Sequence, residues 1–331
     1  FRRVLFRSVV LEGRGGYGVV YKGHFIKNSD VKVAIKVFFA HIKSEFVELE
    51  ICFAKLIEGE GVCPKLLDAI YDNHRFLLIF EYFYFDPFPK CLEAFGFKES
   101  IEYLHCLVKC LYTFHVYQIS HRDVKPSNFL FNISTKKGVL IDLSLCELSV
   151  DSLHTLAAYP KKLYYAQRII KIQDKIGKYK FGTEGYMAPE TVMCEEMQKI
   201  VVDVWAIGII ALQLFVKKRF IFCPLNMMVF DKSQKKLTKN DNYIANFLLQ
   251  SSVLLGPHEA KSYCSKKGYF VSFPSKNSGD LENLKSFIRL EGFQEWAWIV
   301  IEKCLKFDPT RRISSRALLR FIEEKIKFTH Y

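Results

Sequence analysis

The chain of 331 residues has no apolar run long enough to cross a bilayer. Its longest, Val204 to Val216, falls short of the ~20 residues a spanning helix needs and reads as a buried helix. None of its ten cysteines forms a C-x-x-C pair or a zinc-like His/Cys spacing, which favours free thiols of a reducing compartment over a disulfide framework. Cys106 and Cys110, four apart on a predicted helix, are accordingly given no metal. Missing too are any internal repeat or low-complexity tract, any long Lys/Arg cluster of import-signal type, and any base-reading motif for nucleic acid. Residues 1–8 carry neither an initiator Met nor a signal-peptide pattern. The string Arg2 to Ser8 matches one frame of a sequencing adapter, so residues 1–8 are expected to be a non-native artefact and are set aside. What the chain has in quantity is apolar side chains and positive charge. Half of its residues are hydrophobic, which excludes disorder throughout. A net charge of +13 suits a partner bearing phosphate or carboxylate, without choosing among nucleic acid, an anionic surface and an acidic polypeptide.

Val9 to Phe39 is β-rich, with a glycine cluster between two runs of valine, isoleucine and aromatics. A helix is predicted over His41 to Ile57 from the spacing of Phe46, Leu49 and Phe53, and a strand over Arg75 to Phe85. Pro87 and Pro89 then mark a linker, so 9–85 is expected to form a small strand-rich lobe. In the larger remainder, 86–331, helices are predicted over Ser100 to Tyr117, Val201 to Phe215, Phe293 to Leu305 and Ser314 to Lys327, with short strands at Phe129 to Phe131 and Val139 to Leu143. Long stretches near 146–181 and 217–290 read as insertions. The expected fold class is α+β, with a β-rich N-terminal lobe holding one main helix and a mostly helical C-terminal lobe.

Gly13, Gly15 and Gly18 form G-x-G-x-x-G, which a dinucleotide-binding turn also uses; that turn needs a helix directly afterwards, whereas Val19 to His24 continues as strand. A glycine hairpin covering phosphates fits better. Lys36 ends the apolar tetrapeptide Val33-Ala34-Ile35-Lys36, where an ammonium needs anionic partners: phosphates, and a helix carboxylate taken as Glu48, with Glu45 and Glu50 as alternatives. Standing alone, Lys36 would read as a residue snorkelling from an edge strand. Further on, His121-Arg122-Asp123-Val124-Lys125-Pro126-Ser127-Asn128 matches H-R-D-x-x-x-x-N, and Asp142 follows the strand Val139-Leu140-Ile141. Gly182-Thr183-Glu184-Gly185-Tyr186-Met187-Ala188-Pro189-Glu190 ends in A-P-E, Asp203 opens an apolar helix, and Arg312 closes Asp308-Pro309-Thr310-Arg311-Arg312.

Six motifs in this order resemble the eukaryotic protein kinase superfamily across nearly the whole chain. The resemblance implies a bilobal fold binding ATP and Mg²⁺. Asp123 would take the substrate hydroxyl's proton, Lys125 would supply charge to the transferring phosphoryl group, and Asn128 and Asp142 would hold the metal. Lys36, Glu48 and Thr183 join the catalytic set. Nucleotide is expected against Glu12, Gly13, Arg14, Gly15, Gly18, Val20, Ala34, Lys36, the gatekeeper Phe80, the hinge residues Glu81 and Phe83, and Leu130. Lysine at 125 resembles Ser/Thr rather than tyrosine kinases, and Arg312 would pair with Glu190.

The wording of H-R-D-V-K-P-S-N-F-L is similar to the cell-division-cycle-seven kinases, as are Val47-Glu48-Leu49 and Leu290-Glu291-Gly292-Phe293. Cyclin-dependent and casein-type kinases are alternative relatives. The subfamily implies a Dbf-type activating subunit, a role in DNA replication initiation, and a nuclear location; otherwise the protein is expected in the cytoplasm and not secreted. Between Leu156 and Gly182 there is no Ser or Thr and no hydroxyl except those of tyrosines, which favours activation by a partner over the usual loop phosphorylation docking onto Arg122. The same interval holds Lys161, Lys162, Arg168, Lys171, Lys175, Lys178 and Lys180 against Asp174. It reads either as a surface preferring acidic or pre-phosphorylated protein substrates or as a solvated loop. Leu143-Ser144 after Asp142, and Glu12 where such kinases carry Leu or Ile, depart from the pattern. They make a pseudokinase scaffold the main rival.

Overall fold

The computed structural model describes residues 6–26, 30–177, 181–193, 200–217, 257–266, 290 and 292–328. The inserted stretch 217–290 expected from the sequence therefore lies largely outside the described residues. Five strands open the chain: β1 (Phe6–Arg14), β2 (Gly18–Phe25), β3 (Lys32–Phe38), β4 (Leu66–Asp72) and β5 (Arg75–Glu81). They form one antiparallel sheet in the order β1-β2-β3-β5-β4. Short strands β6 (Ile119–Ser120), β7 (Phe129–Asn132), β8 (Lys137–Leu140) and β9 (Glu147–Leu148) follow, pairing β6 with β9 and β7 with β8. The described helices are α1 (Ser44–Leu56), α2 (Phe88–Ala94), α3 (Phe97–Val116), α4 (Ser152–Leu156), α5 (Pro160–Ile176), α6 (Pro189–Val192), α7 (Val202–Val216), α8 (Pro257–Lys266), α9 (Trp296–Cys304) and α10 (Ser315–Phe328).

The chain groups into two compact units. The first takes the described parts of Phe1–Pro87, Cys110–His121 and Pro126–Tyr179; the second takes those of Phe88–Lys109, Arg122–Lys125 and Lys180–Tyr331. The first unit is thus larger than the lobe expected over 9–85, because later segments bond to it: Asp86 N–H donates to Phe131 O (2.8 Å) and Leu140 N–H to Val62 O (2.8 Å). Its sheet follows the period-2 rule. Val33, Ile35, Leu77 and Ile79 share one buried face with Tyr21, Phe25, Val37 and Ile70, leaving Ala34 and Lys36 on the other. β1 begins within the 1–8 stretch set aside above, with Phe6 opposite Phe25 and Arg7 opposite His24. Ladder bonds are made by the backbone, so an edge strand accepts such residues whatever their side chains.

α1 buries Val47, Leu49, Cys52, Phe53 and Leu56 and carries Glu45 in its first turn and Lys55 in its last, the signs its dipole favours. α5 lies against α1 and buries Ala166, Ile169 and Ile172. The basic interval 161–176 is therefore neither a loop nor wholly solvated: three apolar residues at three-residue steps form a stripe, Pro160 opens the helix, and Gly177 (φ 72°) ends it.

In the second unit α7 is buried along its whole length and packs on α9. Gly208 permits the approach to the residues that end α9, since a Cβ there would stand 2.6 Å from Leu305 Cδ2. Aromatic contacts extend this core: Trp205 meets Phe307 edge-on at 5.8 Å, and Phe97 packs on Phe215, Phe293 and Trp296. Cys52, Cys91, Cys110, Cys146 and Cys304 are buried thiols outside any disulfide.

Candidate active site

The first unit gathers one group of predicted residues. Pairing across the sheet sets Val20 and Leu78 opposite Lys36, and Lys22 and Phe80 opposite Ala34, so these side chains share the face away from the apolar cluster. Lys36 Nζ donates to Glu50 Oε2 at 2.6 Å and Oε1 at 2.9 Å, and to Asp142 Oδ1 at 2.8 Å. Glu48, expected as the helix carboxylate, is not its partner: it binds Arg168 of α5. Residues two apart on a helix point about 200° apart, so only one of Glu48 and Glu50 can face β3.

Glu50 is 2 % exposed, and burial pushes its carboxyl up to about 7 against the pull of Lys36. Burial also works against the Lys36 ammonium, but Asp142 and Glu50 outweigh it and hold the group above its ordinary value. Asp142 is likewise opposed by burial, yet the ammonium of Lys36 and a hydrogen bond from Ser144 bring it down to about 2. Ser144 Oγ donates to Asp142 Oδ1 at 2.9 Å, a contact the glycine of the usual pattern cannot make. Asp142 itself sits in the left-handed region (φ 64°). Asn128 ends a 3₁₀ turn, buried, and its carbonyl accepts the N–H of Ile141 (3.0 Å), tying it to the strand that delivers Asp142. One carboxylate and one amide oxygen are hard donors of the kind Mg²⁺ takes together with phosphate oxygens, so the residues fit that ion. Among the described residues no cluster of three or more His, Cys, Asp or Glu offers a protein-only cage.

Gly18 approaches β3 so closely that a Cβ would lie 2.3 Å from Val37 O, whereas Gly13 and Gly15 have open space where a Cβ would stand. Gly15 N–H donates to Gly18 O (2.9 Å), closing the hairpin tip. The guanidinium of Arg14 lies over Phe39 at 5.4 Å. In the hinge, Glu81 N–H donates to Lys65 O and Tyr82 N–H to Lys32 O, with Phe83 following. Glu12 has a partner there that the sequence did not announce: Tyr82 Oη donates to Glu12 Oε1 at 3.0 Å, while Lys22 Nζ lies 4.6 Å from the Tyr82 ring centroid. Leu130 lies on β7 opposite Val139.

The second unit gathers the rest. Lys125 Nζ donates to Asp123 Oδ2 (2.7 Å) and to Thr183 Oγ1 (2.6 Å), and Thr183 Oγ1 donates to Asp123 Oδ1 (2.7 Å). Both oxygens of a carboxylate that is 6 % exposed are therefore oriented. Asp203, at the start of α7, accepts the N–H of Arg122 (2.8 Å) and fixes the catalytic loop from below. Arg312 binds Glu190 with two nitrogens, at 2.6 and 3.0 Å, in a buried bidentate pair.

A glycine hairpin, a buried lysine paired to a helix carboxylate, an oriented aspartate beside a lysine and a buried Arg–Glu tie are the parts of a protein kinase. The family model for the protein kinase domain matches residues 6–321, and the chain belongs to that family, with its α+β bilobal fold. Its curated relatives include cell-cycle kinases. It is 28 % identical over 57 % of its length to the "Cell cycle serine/threonine-protein kinase hsk1" of Schizosaccharomyces pombe, and 28 % identical over 61 % to the "Probable cell division control protein 7 homolog 2" of Encephalitozoon cuniculi. The "Probable casein kinase II subunit alpha homolog" of the latter organism is 26 % identical over 63 % of the chain. These matches span 40 %, 62 % and 58 % of the three relatives respectively. No described helix is long and apolar enough to cross a membrane.

Proposed function

We propose that this chain transfers the γ-phosphoryl group of ATP to serine or threonine hydroxyls of proteins. The observation that carries this is the triangle of Asp123, Lys125 and Thr183. Thr183 and Lys125 each occupy one oxygen of Asp123 and so aim the carboxylate, which takes the proton of the incoming hydroxyl as its oxygen forms the new P–O bond. The bond from the γ-phosphorus to the bridging oxygen breaks, and ADP leaves. Lys125 offsets charge on the equatorial oxygens of the group in flight. Lys36, held by Glu50, keeps the remaining phosphates in place, and the backbone of the Gly13–Gly18 hairpin covers them. Asp142 and Asn128 would hold Mg²⁺, which would supply positive charge to offset that of the phosphates.

The similarity to cell-cycle kinases supports a finer assignment: a kinase activated by a regulatory subunit, acting in the nucleus at the initiation of DNA replication. The basic outer side of α5 suits protein substrates with acidic flanks. A scaffold without activity is the competing account, favoured by Ser144 and Glu12, which depart from the usual pattern. Phosphate transfer from Mg·ATP to an acidic-flanked Ser peptide, with and without a co-expressed Dbf-type subunit, tests both. Transfer that Asp123→Asn abolishes establishes the kinase; folded protein with no transfer under either condition establishes the scaffold.

A further inference from the structure

Resting on the kinase assignment above, we propose that Phe181 is a positioning residue whose ring takes the place of a phosphate on Arg122 and so holds Thr183 against Asp123 with no phosphorylation of the preceding segment. Three consecutive residues lie along two consecutive residues of the catalytic loop. The Phe181 ring centroid is 3.3 Å from the guanidinium carbon of Arg122. Gly182 (φ 93°) passes so close to Arg122 O that a Cβ would stand 2.9 Å from it. Thr183 then reaches Asp123 at 2.7 Å.

Arg122 is itself held in an unusual backbone conformation (φ 71°), with its N–H on Asp203. A non-glycine residue in that region persists only where its surroundings over-determine it. Here the surroundings include Asp203 at its N–H and the Phe181 ring over its guanidinium. Kinases that order this segment by modification do so through a new Arg–phosphate pair. No Ser or Thr lies between Leu156 and Gly182 to supply one, where the only hydroxyls are those of Tyr159, Tyr164, Tyr165 and Tyr179, and the buried ring of Phe181 already covers the guanidinium. The negative face of an aromatic ring attracts a guanidinium without carrying a charge or needing a modifying enzyme. The segment carrying Thr183 is thereby fixed by sequence alone, and control of activity falls to other parts of the molecule.

Phosphate transfer by the full chain, with its activating subunit where required, is compared for wild type, Phe181→Leu, Phe181→Tyr and Phe181→Glu, each checked by thermal unfolding. Leu keeps volume but loses the ring: kcat is expected to fall about tenfold with KM for ATP within about twofold, as one cation–π contact made away from the nucleotide implies. Tyr keeps kcat within about threefold. Glu sets a carboxylate on Arg122 and regains several-fold over Leu, an order that a mere apolar plug would reverse. A phosphatase acting on Ser, Thr and Tyr leaves the wild-type rate unchanged. Leu equal to wild type, folded Glu below Leu, or loss of rate on phosphatase treatment overturns the proposal alone. A wild type no faster than Asp123→Asn overturns the kinase assignment and this proposal with it. If Phe181→Leu does not fold, Phe181→Glu decides: a rate within about tenfold of wild type supports the stand-in role, and none overturns it.

Discussion

Two carboxylates on one turn of α1 have divergent surroundings that set different consequences for their loss. Glu50 is buried and shares the ammonium of Lys36 with Asp142; Glu48 meets Arg168 across a half-exposed pair. Removing one partner of a buried pair leaves the other charge uncompensated and costs about 3–5 kcal/mol, whereas exposed pairs contribute about 0–1 kcal/mol. Glu50→Gln is therefore expected to lower kcat/KM by about a hundredfold or more, with Glu48→Gln within about fivefold of wild type. Steady-state kinetics of the two variants beside their denaturant midpoints decides it, and a larger loss in Glu48→Gln would return the catalytic carboxylate to that position. The choice between them was not legible in the sequence because both lie within reach of β3 along the chain. Helix phase alone separates them, and phase is set by which side of α1 the rest of the unit covers. Asp123, Asn128, Asp142 and Lys36 were legible because each sits in a contiguous string whose local backbone presents it. Phe181, Tyr82 and Ser144 were not, since a ring on a guanidinium, a phenol on Glu12 and a hydroxyl on Asp142 are relations between side chains that no spacing encodes.

At the scale of elements, α5 is held by packing and by charge at once. It lies on α1, the helix that delivers Glu50, through Ala166, Ile169 and Ile172. At its rim, Lys161 reaches Glu58, Lys162 reaches Glu60 at 2.7 Å, and Arg168 binds Glu48. Gln173 exchanges two hydrogen bonds with the backbone of Leu148 on β9. Apolar burial outweighs the rim pairs: Ile169 is fully buried, and its truncation to Ala is expected to cost about 2–5 kcal/mol, against about 1 kcal/mol or less for Arg168→Ala. Urea unfolding measures both, and equal losses would mean that charge, not packing, fixes α5. Lost packing should also cut activity beyond the loss in folded fraction, because α1 carries Glu50. The helix start at Pro160, the stop at Gly177 and the stripe between them were all present in the sequence; the density of lysines across the same residues concealed them as a loop. β4 was hidden for the opposite reason, since only Leu66 of its seven residues is buried and the strand lacks the alternation that marks its neighbours. The long helices α3, α7 and α10 were legible within a few residues at each end, because each carries apolar residues at three- and four-residue steps or, in α7, throughout.

At the scale of the whole molecule, Lys36, Asn128 and Asp142 belong to the first unit, and Asp123, Lys125 and Thr183 to the second. The chain passes between units twice within the catalytic loop, at 121–122 and at 125–126. Binding and turnover can nevertheless be separated. Ligand held only by the native state raises stability by RT ln(1 + [L]/Kd), about 2.7 kcal/mol at a hundredfold excess over Kd. Mg·ATP is expected to raise the thermal midpoint of wild type and of Asp123→Asn alike, because Asp123 serves the hydroxyl and not the nucleotide. Asp142→Asn should lose the part of the shift that depends on Mg²⁺, keeping only what ATP gives with a chelator present. Arg312→Ala breaks the buried tie to Glu190 and should cost about 3–5 kcal/mol while leaving the ligand-dependent increment in place, since that pair lies in the second unit. Differential scanning fluorimetry of the four proteins, with ATP, Mg·ATP and chelator, separates these expectations. A shift absent in wild type would count against nucleotide binding itself. An Asp142→Asn shift equal to wild type would remove that residue from the metal site even if phosphate transfer proceeds.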